Sequence, residues 1–141
     1  MNPKSLALAL ALALAAAPAL AKGDPLAAAL QKVVEQQISA FNAENLAGSM
    51  ATIDTRSPEY QPTEQELAAQ FPTGSLSAAL TSFQFVGHDD EFAVARVKIQ
   101  VSAPKGEEFV DNVSDTMMLF HQENGAWRIW GDYLIGVQTL E

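Results

Sequence analysis

Two runs of alternating side chains joined by Asn124-Gly125 constrain this chain more than any other feature. An Asn-Gly pair between alternating segments favours a two-residue hairpin turn, because both positions tolerate positive φ. The turn sets a register in which Glu123 pairs with Ala126, Phe120 with Ile129 and Thr116 with Tyr133. The strands expected around it are Phe109–Gln122 and Trp127 to about Thr139. Upstream, Phe92–Ser102 is rich in β-branched residues and reads as a long strand, and Ser82–Val86 as a shorter one. Gly87-His88-Asp89-Asp90 and Ala103-Pro104-Lys105-Gly106 supply the intervening turns.

The first half of the chain carries a different period. Asp24-Pro25 combines a capping side chain with proline at the first helical position. Leu26, Leu30, Val33, Val34, Ile38 and Phe41 then follow one face of a long helix. A short helix is expected from about Leu46, and a third from the capping box Thr63-Glu64-Gln65-Glu66 to near Phe71-Pro72. Helices first and an antiparallel meander afterwards define an α+β chain, not a parallel α/β one.

The N-terminus reads as an export signal. Lys4 precedes an apolar Leu/Ala run from Leu6 to Ala17, and Pro18 and Ala19-Leu20-Ala21 supply a break and a small-residue cut site. The run is shorter than the ~20 apolar residues that span a bilayer. Residues 1–21 are thus expected to be removed after Ala21, leaving residues 22–141 as one domain in the periplasm or outside the cell. With no cysteine in the chain, this domain must be held by packing alone. The whole chain's 17 Asp and Glu against 8 Lys and Arg, one of them Lys4, argue against nucleic-acid or anionic-membrane partners.

Strand register sorts the side chains by face. With Val101 opposite Val110, one face collects Ala95, Val97, Ile99, Val101, Val110, Asn112, Ser114, Thr116, Met118, Phe120, Trp127, Ile129, Tyr133 and Ile135. This apolar face is expected to receive the helices. The other face holds Phe92, Arg96, Asp115, Leu119, His121, Trp130 and Asp132. Reversing the faces would bury the charged set and expose five large aliphatic side chains, each worth ~1.5–3 kcal/mol when buried. That exceeds what a domain stable by about 5–15 kcal/mol can lose.

The long first helix with Phe41-Asn42-Ala43-Glu44-Asn45, the Ser57-Pro58-Glu59-Tyr60 stretch, Phe109-Val110-Asp111-Asn112 and the hairpin Glu123-Asn124-Gly125-Ala126-Trp127-Arg128-Ile129 together resemble the nuclear transport factor 2-like superfamily. This group includes the SnoaL-like and ketosteroid isomerase-like proteins. The resemblance implies a cystatin-like α+β roll: a cone-shaped curved antiparallel sheet wrapped around a long N-terminal helix, with two shorter helices. It also implies a cavity inside the cone and, often, dimers through the outer sheet face. The fold hosts isomerases, dehydratases, hydrolases and non-enzymatic binders, so it selects no activity.

The expected pocket is neutral and largely apolar, lined by Asn112, Ser114, Thr116, Met118, Trp127 and Tyr133, and suited to a small apolar or aromatic molecule. None of these is a base near neutral pH, so no catalytic residue is assigned; Asp54 and Tyr60, on connections near the cone mouth, are the remaining candidates. Phe92, Leu119 and Trp130 form the expected homodimer contact on the outer face. His88 and His121 lack a helical metal-ligand spacing, and the acidic turns lack that of a calcium loop. Neither a metal nor another cofactor is expected.

Overall fold

The computed structural model describes residues 23–141. The expected signal segment, residues 1–21, lies outside them. The elements are α1 (Pro25–Asn42), α2 (Leu46–Met50), α3 (Tyr60–Gln70), β1 (Ser77–His88), β2 (Phe92–Ser102), β3 (Asn112–Glu123) and β4 (Ala126–Thr139). The strands form one antiparallel sheet in sequence order, with β1 and β4 at its edges.

Local chemistry accounts for the boundaries. Asp24 accepts from the Leu26 N–H at 2.8 Å and starts α1 as its cap. Asn45 does the same for α2 through Gly48 N–H. α3 begins at Tyr60, three residues before the expected capping box. Pro62 fits there because it lies in the first turn, where backbone N–H groups have no partner within the helix. Asn124 and Gly125 both take positive φ, 52° and 79°, in the β3–β4 turn.

The core is built on one face of the sheet. Leu30 and Val34 of α1 press onto Ala93, Ala95, Val97, Met118, Phe120 and Ile129, all buried. Leu80, Phe83, Phe85, Ile99 and Trp127 pack around this centre. Of these sheet residues, Ala95, Val97, Ile99, Met118, Phe120, Trp127 and Ile129 are ones the alternation sorted inward. The β2–β3 register differs from the expected one: Val101 pairs with Asn112, not Val110, and Val97 with Thr116. A slip of two residues preserves parity, so the apolar face survives it. β3 starts at Asn112, and Val110 before it is exposed.

Parity fails in the last strand. Phe120 pairs with Ile129 but Leu119 pairs with Gly131, which makes Trp130 an extra residue in β4. A second bulge follows at Ile135, between the pairs Thr116–Leu134 and Asp115–Gly136. Each extra residue inverts the side-chain alternation beyond it. Asp132 therefore stands opposite inward-facing Met118, and Tyr133 opposite outward-facing Met117.

Among the described residues Phe120, in the second half of β3, is the largest fully buried side chain. Its replacement, Phe120→Ala, is expected to cost ~3–5 kcal/mol in urea unfolding. A cost near that of a surface substitution would contradict the packing.

Candidate functional site

The residues between α2 and α3 fasten β4 to the rest of the molecule. Ile53 forms a parallel bridge with Ile129. Ile129 N–H donates to Thr52 O at 2.8 Å, and Asp54 N–H donates to Ile129 O at 2.9 Å. Ser57 Oγ donates to Trp130 O and accepts from Glu59 N–H. The short segment thus acts as a partial fifth strand along the first half of β4. Trp130, the bulged residue, lies where this attachment ends.

Asp54 is fully buried within that segment. It lies on the outer side of the sheet, where Arg56 and His121 enclose its carboxylate. Arg56 donates from its backbone N–H to Oδ1 at 2.9 Å and from its guanidinium to both oxygens at 3.3 Å. His121 Nδ1 is 2.7 Å from Oδ2, and its Nε2 is 3.2 Å from Glu91 Oε1. Beside this cluster Glu123 accepts from Thr55 N–H at 3.1 Å and pairs with Arg128 at 3.4 Å. Burial pushes the Asp54 carboxyl up, but the hydrogen bonds from Arg56 and His121 outweigh it and hold the pKa at about 2.

Asp54, named from the sequence as a candidate catalytic group, lies on the side of the sheet away from the cone, with both carboxylate oxygens engaged. Tyr60 is half-buried at the start of α3 and does not line the cavity described next.

The cone interior is a cavity of about 200 Å³ between α1, α3 and the sheet. Ile53, Leu67, Met118 and Ile129 give it an apolar floor, closed on one side by Trp130 and Gly131. Its polar groups are Gln37 from α1, Glu59, Thr63 and Glu66 on or beside α3, and Asp132 from β4. Glu59, Thr63, Glu66 and Leu67 share one face of α3, at spacings of four, three and one residues. Glu59, Glu66 and Asp132 are all exposed, so the rim is acidic and wet.

Of the expected pocket residues, Met118 alone lines this cavity. Thr116 is buried beneath the core, with Oγ1 donating to Val97 O at 3.4 Å, and Trp127 packs at the core margin. Asn112 and Ser114 donate to the backbone oxygens of Val110 and Ile99 towards the other end of β3. Tyr133 is 56% exposed and turned outward by the bulge. The expectation of a neutral pocket is likewise corrected, because the same bulge brings Asp132 in and α3 adds two glutamates. The inward face of α3 could have been read from its spacing, and Gly131, directly after Trp130 within a strand pattern, is a weaker local sign of the bulge.

On the outer face, Phe92 meets Trp130 edge-on, with ring centres 5.8 Å apart. His121 lies between them, 4.7 Å from Phe92 and 5.0 Å from Trp130. Phe92, Leu119 and Trp130 are half-buried. Arg96 and Asp115 form a bidentate pair at 2.9 and 2.6 Å, which holds the Asp115 carboxyl below its usual range. Among the described residues, no group of three His, Asp or Glu could hold a metal ion, and no helix is long and apolar enough to cross a membrane.

The profile of the anti-sigma-I factor RsgI9 C-terminal domain matches residues 32–140. The chain belongs to that family. Its fold is also that of solved structures described as nuclear transport factor 2-like or cystatin-like. A proposed aromatic ring hydroxylase from Novosphingobium aromaticivorans superposes with a TM-score of 0.66 at 10% identity, over 84% of this chain and 96% of that one. Aln2 from a Streptomyces species gives 0.63 at 14% identity, over 79% and 91% of the two chains. A nuclear transport factor 2-like protein of unknown function from Pseudomonas putida gives 0.63 at 12% identity, over 79% and 88%. At these identities the likeness is one of fold. A search of curated proteins found no match.

The ion cluster predicts a pH dependence. Because the Asp54 pKa falls from 3.8 to about 2 on folding, its contribution is complete above pH 3.8 and is lost as the pH drops towards 2. The loss is roughly 2 kcal/mol. Urea titrations at pH 5 and pH 2.5 should show a smaller fall for Asp54→Asn than for the parent chain. Equal falls would contradict the assignment.

Proposed function

We propose that this chain is an exported, non-catalytic binding domain of the RsgI9 C-terminal domain family. Its cone takes a small molecule with an apolar or aromatic body and a positively charged end. The observation that carries this reading is the division of the cavity into an apolar floor and an acidic rim of Glu59, Glu66 and Asp132. An apolar recess with a few oriented polar groups is the usual form of a small-molecule site. At about 200 Å³ it suits a single ring with a short chain.

The acidic rim favours an ammonium over a carboxylate, and the chain's net charge of −9 acts in the same direction. A binding role fits the available groups better than proton transfer does. Among the described residues, the fully buried carboxylate of Asp54 is engaged by Arg56 and His121 outside the cavity, and no buried Asp, Glu or His lines the interior.

Calorimetry with phenethylamine and with 3-phenylpropionate, which share a body and differ in charge, tests the reading. The amine is expected to bind and the acid not to. Asp132→Asn and Glu66→Gln should each weaken the amine roughly tenfold. Equal binding of amine and acid, or no binding of either, would overturn it.

A further inference from the structure

The helix that carries the rim glutamates is held by little packing. No residue of α3 is buried, and Glu59, just before its first turn, makes no side-chain capping bond. An edge-on contact between the rings of Phe41 and Phe71, 5.8 Å between centres, steadies its far end. Its near end depends on Ser57, which is buried. Ser57 O accepts from Tyr60 N–H at 3.1 Å, and Ser57 Oγ accepts from Glu59 N–H at 3.0 Å. One residue thus satisfies two of the backbone donors that a helix start leaves without an internal partner.

The same hydroxyl reaches the sheet. Trp130 is the extra residue of the first β4 bulge, and the backbone of such a residue drops out of the ladder. Ser57 Oγ donates to the Trp130 carbonyl and gives that group a partner. Asp132, two residues further on, faces the cone because the bulge is there. A single buried hydroxyl therefore bridges the start of α3, which sets Glu59 and Glu66, and the irregularity in β4 that sets Asp132.

We infer that Ser57 is the positioning residue of the acidic rim. It does not line the cavity, and it acts by holding the α3 glutamates and Asp132 at one spacing. That spacing governs how strongly the cone prefers an ammonium to a neutral group, a consequence that rests on the binding role proposed above. Attraction between charges falls with distance, so an ammonium gains from several carboxylates only while they converge on it. A neutral hydroxyl needs one hydrogen bond and tolerates a looser rim. The other attachments of the segment, the Ile53–Ile129 bridge and the Asp54–His121 contact, belong to other residues and do not touch α3.

Two readouts test this, one without a ligand. Nitroxide labels on Gln65→Cys and Gln138→Cys, exposed sites on α3 and β4 in a chain with no cysteine of its own, report the α3–β4 distance by pulsed electron paramagnetic resonance. The parent chain is expected to give one narrow distribution and Ser57→Ala a broader or displaced one. Ser57→Thr, which keeps the hydroxyl, should restore it. Thr55→Val, which instead removes a bond from the same segment to Glu123, should leave it unchanged. In calorimetry on unlabelled chains, Ser57→Ala should weaken phenethylamine roughly tenfold and phenethyl alcohol less than about twofold. An unchanged distribution in Ser57→Ala, failure of Ser57→Thr to restore it, the same change in Thr55→Val, or equal weakening of amine and alcohol would overturn the inference. A parent chain that binds no amine would contradict the binding reading and with it the selectivity, while the distances still decide whether Ser57 positions the rim.

Discussion

The pair of backbone hydrogen bonds that ties Thr52 and Asp54 to Ile129 organises everything around the cone. It attaches the α2–α3 connection to the start of β4 and so carries α3 across the mouth of the sheet. The attachment stops at Trp130, where β4 takes up an extra residue and the inward and outward faces exchange. Had the strand continued in register, Tyr133 would face the cone and Asp132 would face solvent on the other side. Ile129 remains in the core in either case, because it precedes the bulge.

The outer end of the same attachment is held by charge. Asp54 is removed from water, which by itself would be costly, and Arg56 and His121 compensate by binding its oxygens directly. Arg56 is itself substantially exposed, so the cluster keeps one solvated end while the other is buried. Phe92 and Trp130 flank His121 and limit access of water to the Asp54–His121 contact. The residues most suited by type to acid–base chemistry thus stabilise the wall of the cone, and the groups exposed to its interior come from α3 and the displaced part of β4.

Much of the fold is legible in the sequence because it is fixed by local chemistry. Asp24-Pro25 starts α1, Phe92–Ser102 is β2 from end to end, and Asn124-Gly125 sets the final turn. Leu30, Val34, Val97, Phe120 and Ile129 follow from periodicity alone. The pocket is less legible, because its composition depends on where two distant segments meet. Met118 is anticipated by alternation, whereas Asp132 replaces Tyr133 through a bulge that a segment some 75 residues away helps to position. Pro62 obscures the start of α3 by reading as a breaker where the first helical turn accommodates it.

The reversal of side-chain alternation after Trp130 can be measured without a ligand, since the chain has no cysteine of its own. Paired substitutions Glu66→Cys with Asp132→Cys, and Glu66→Cys with Tyr133→Cys, would be treated with a short bismaleimide and the intramolecular cross-link quantified by mass spectrometry. Efficient linkage from position 132 and little from position 133 is the predicted result. Preferential linkage from position 133 would mean that β4 runs through Trp130 without a bulge, and that the cone lacks its β4 carboxylate.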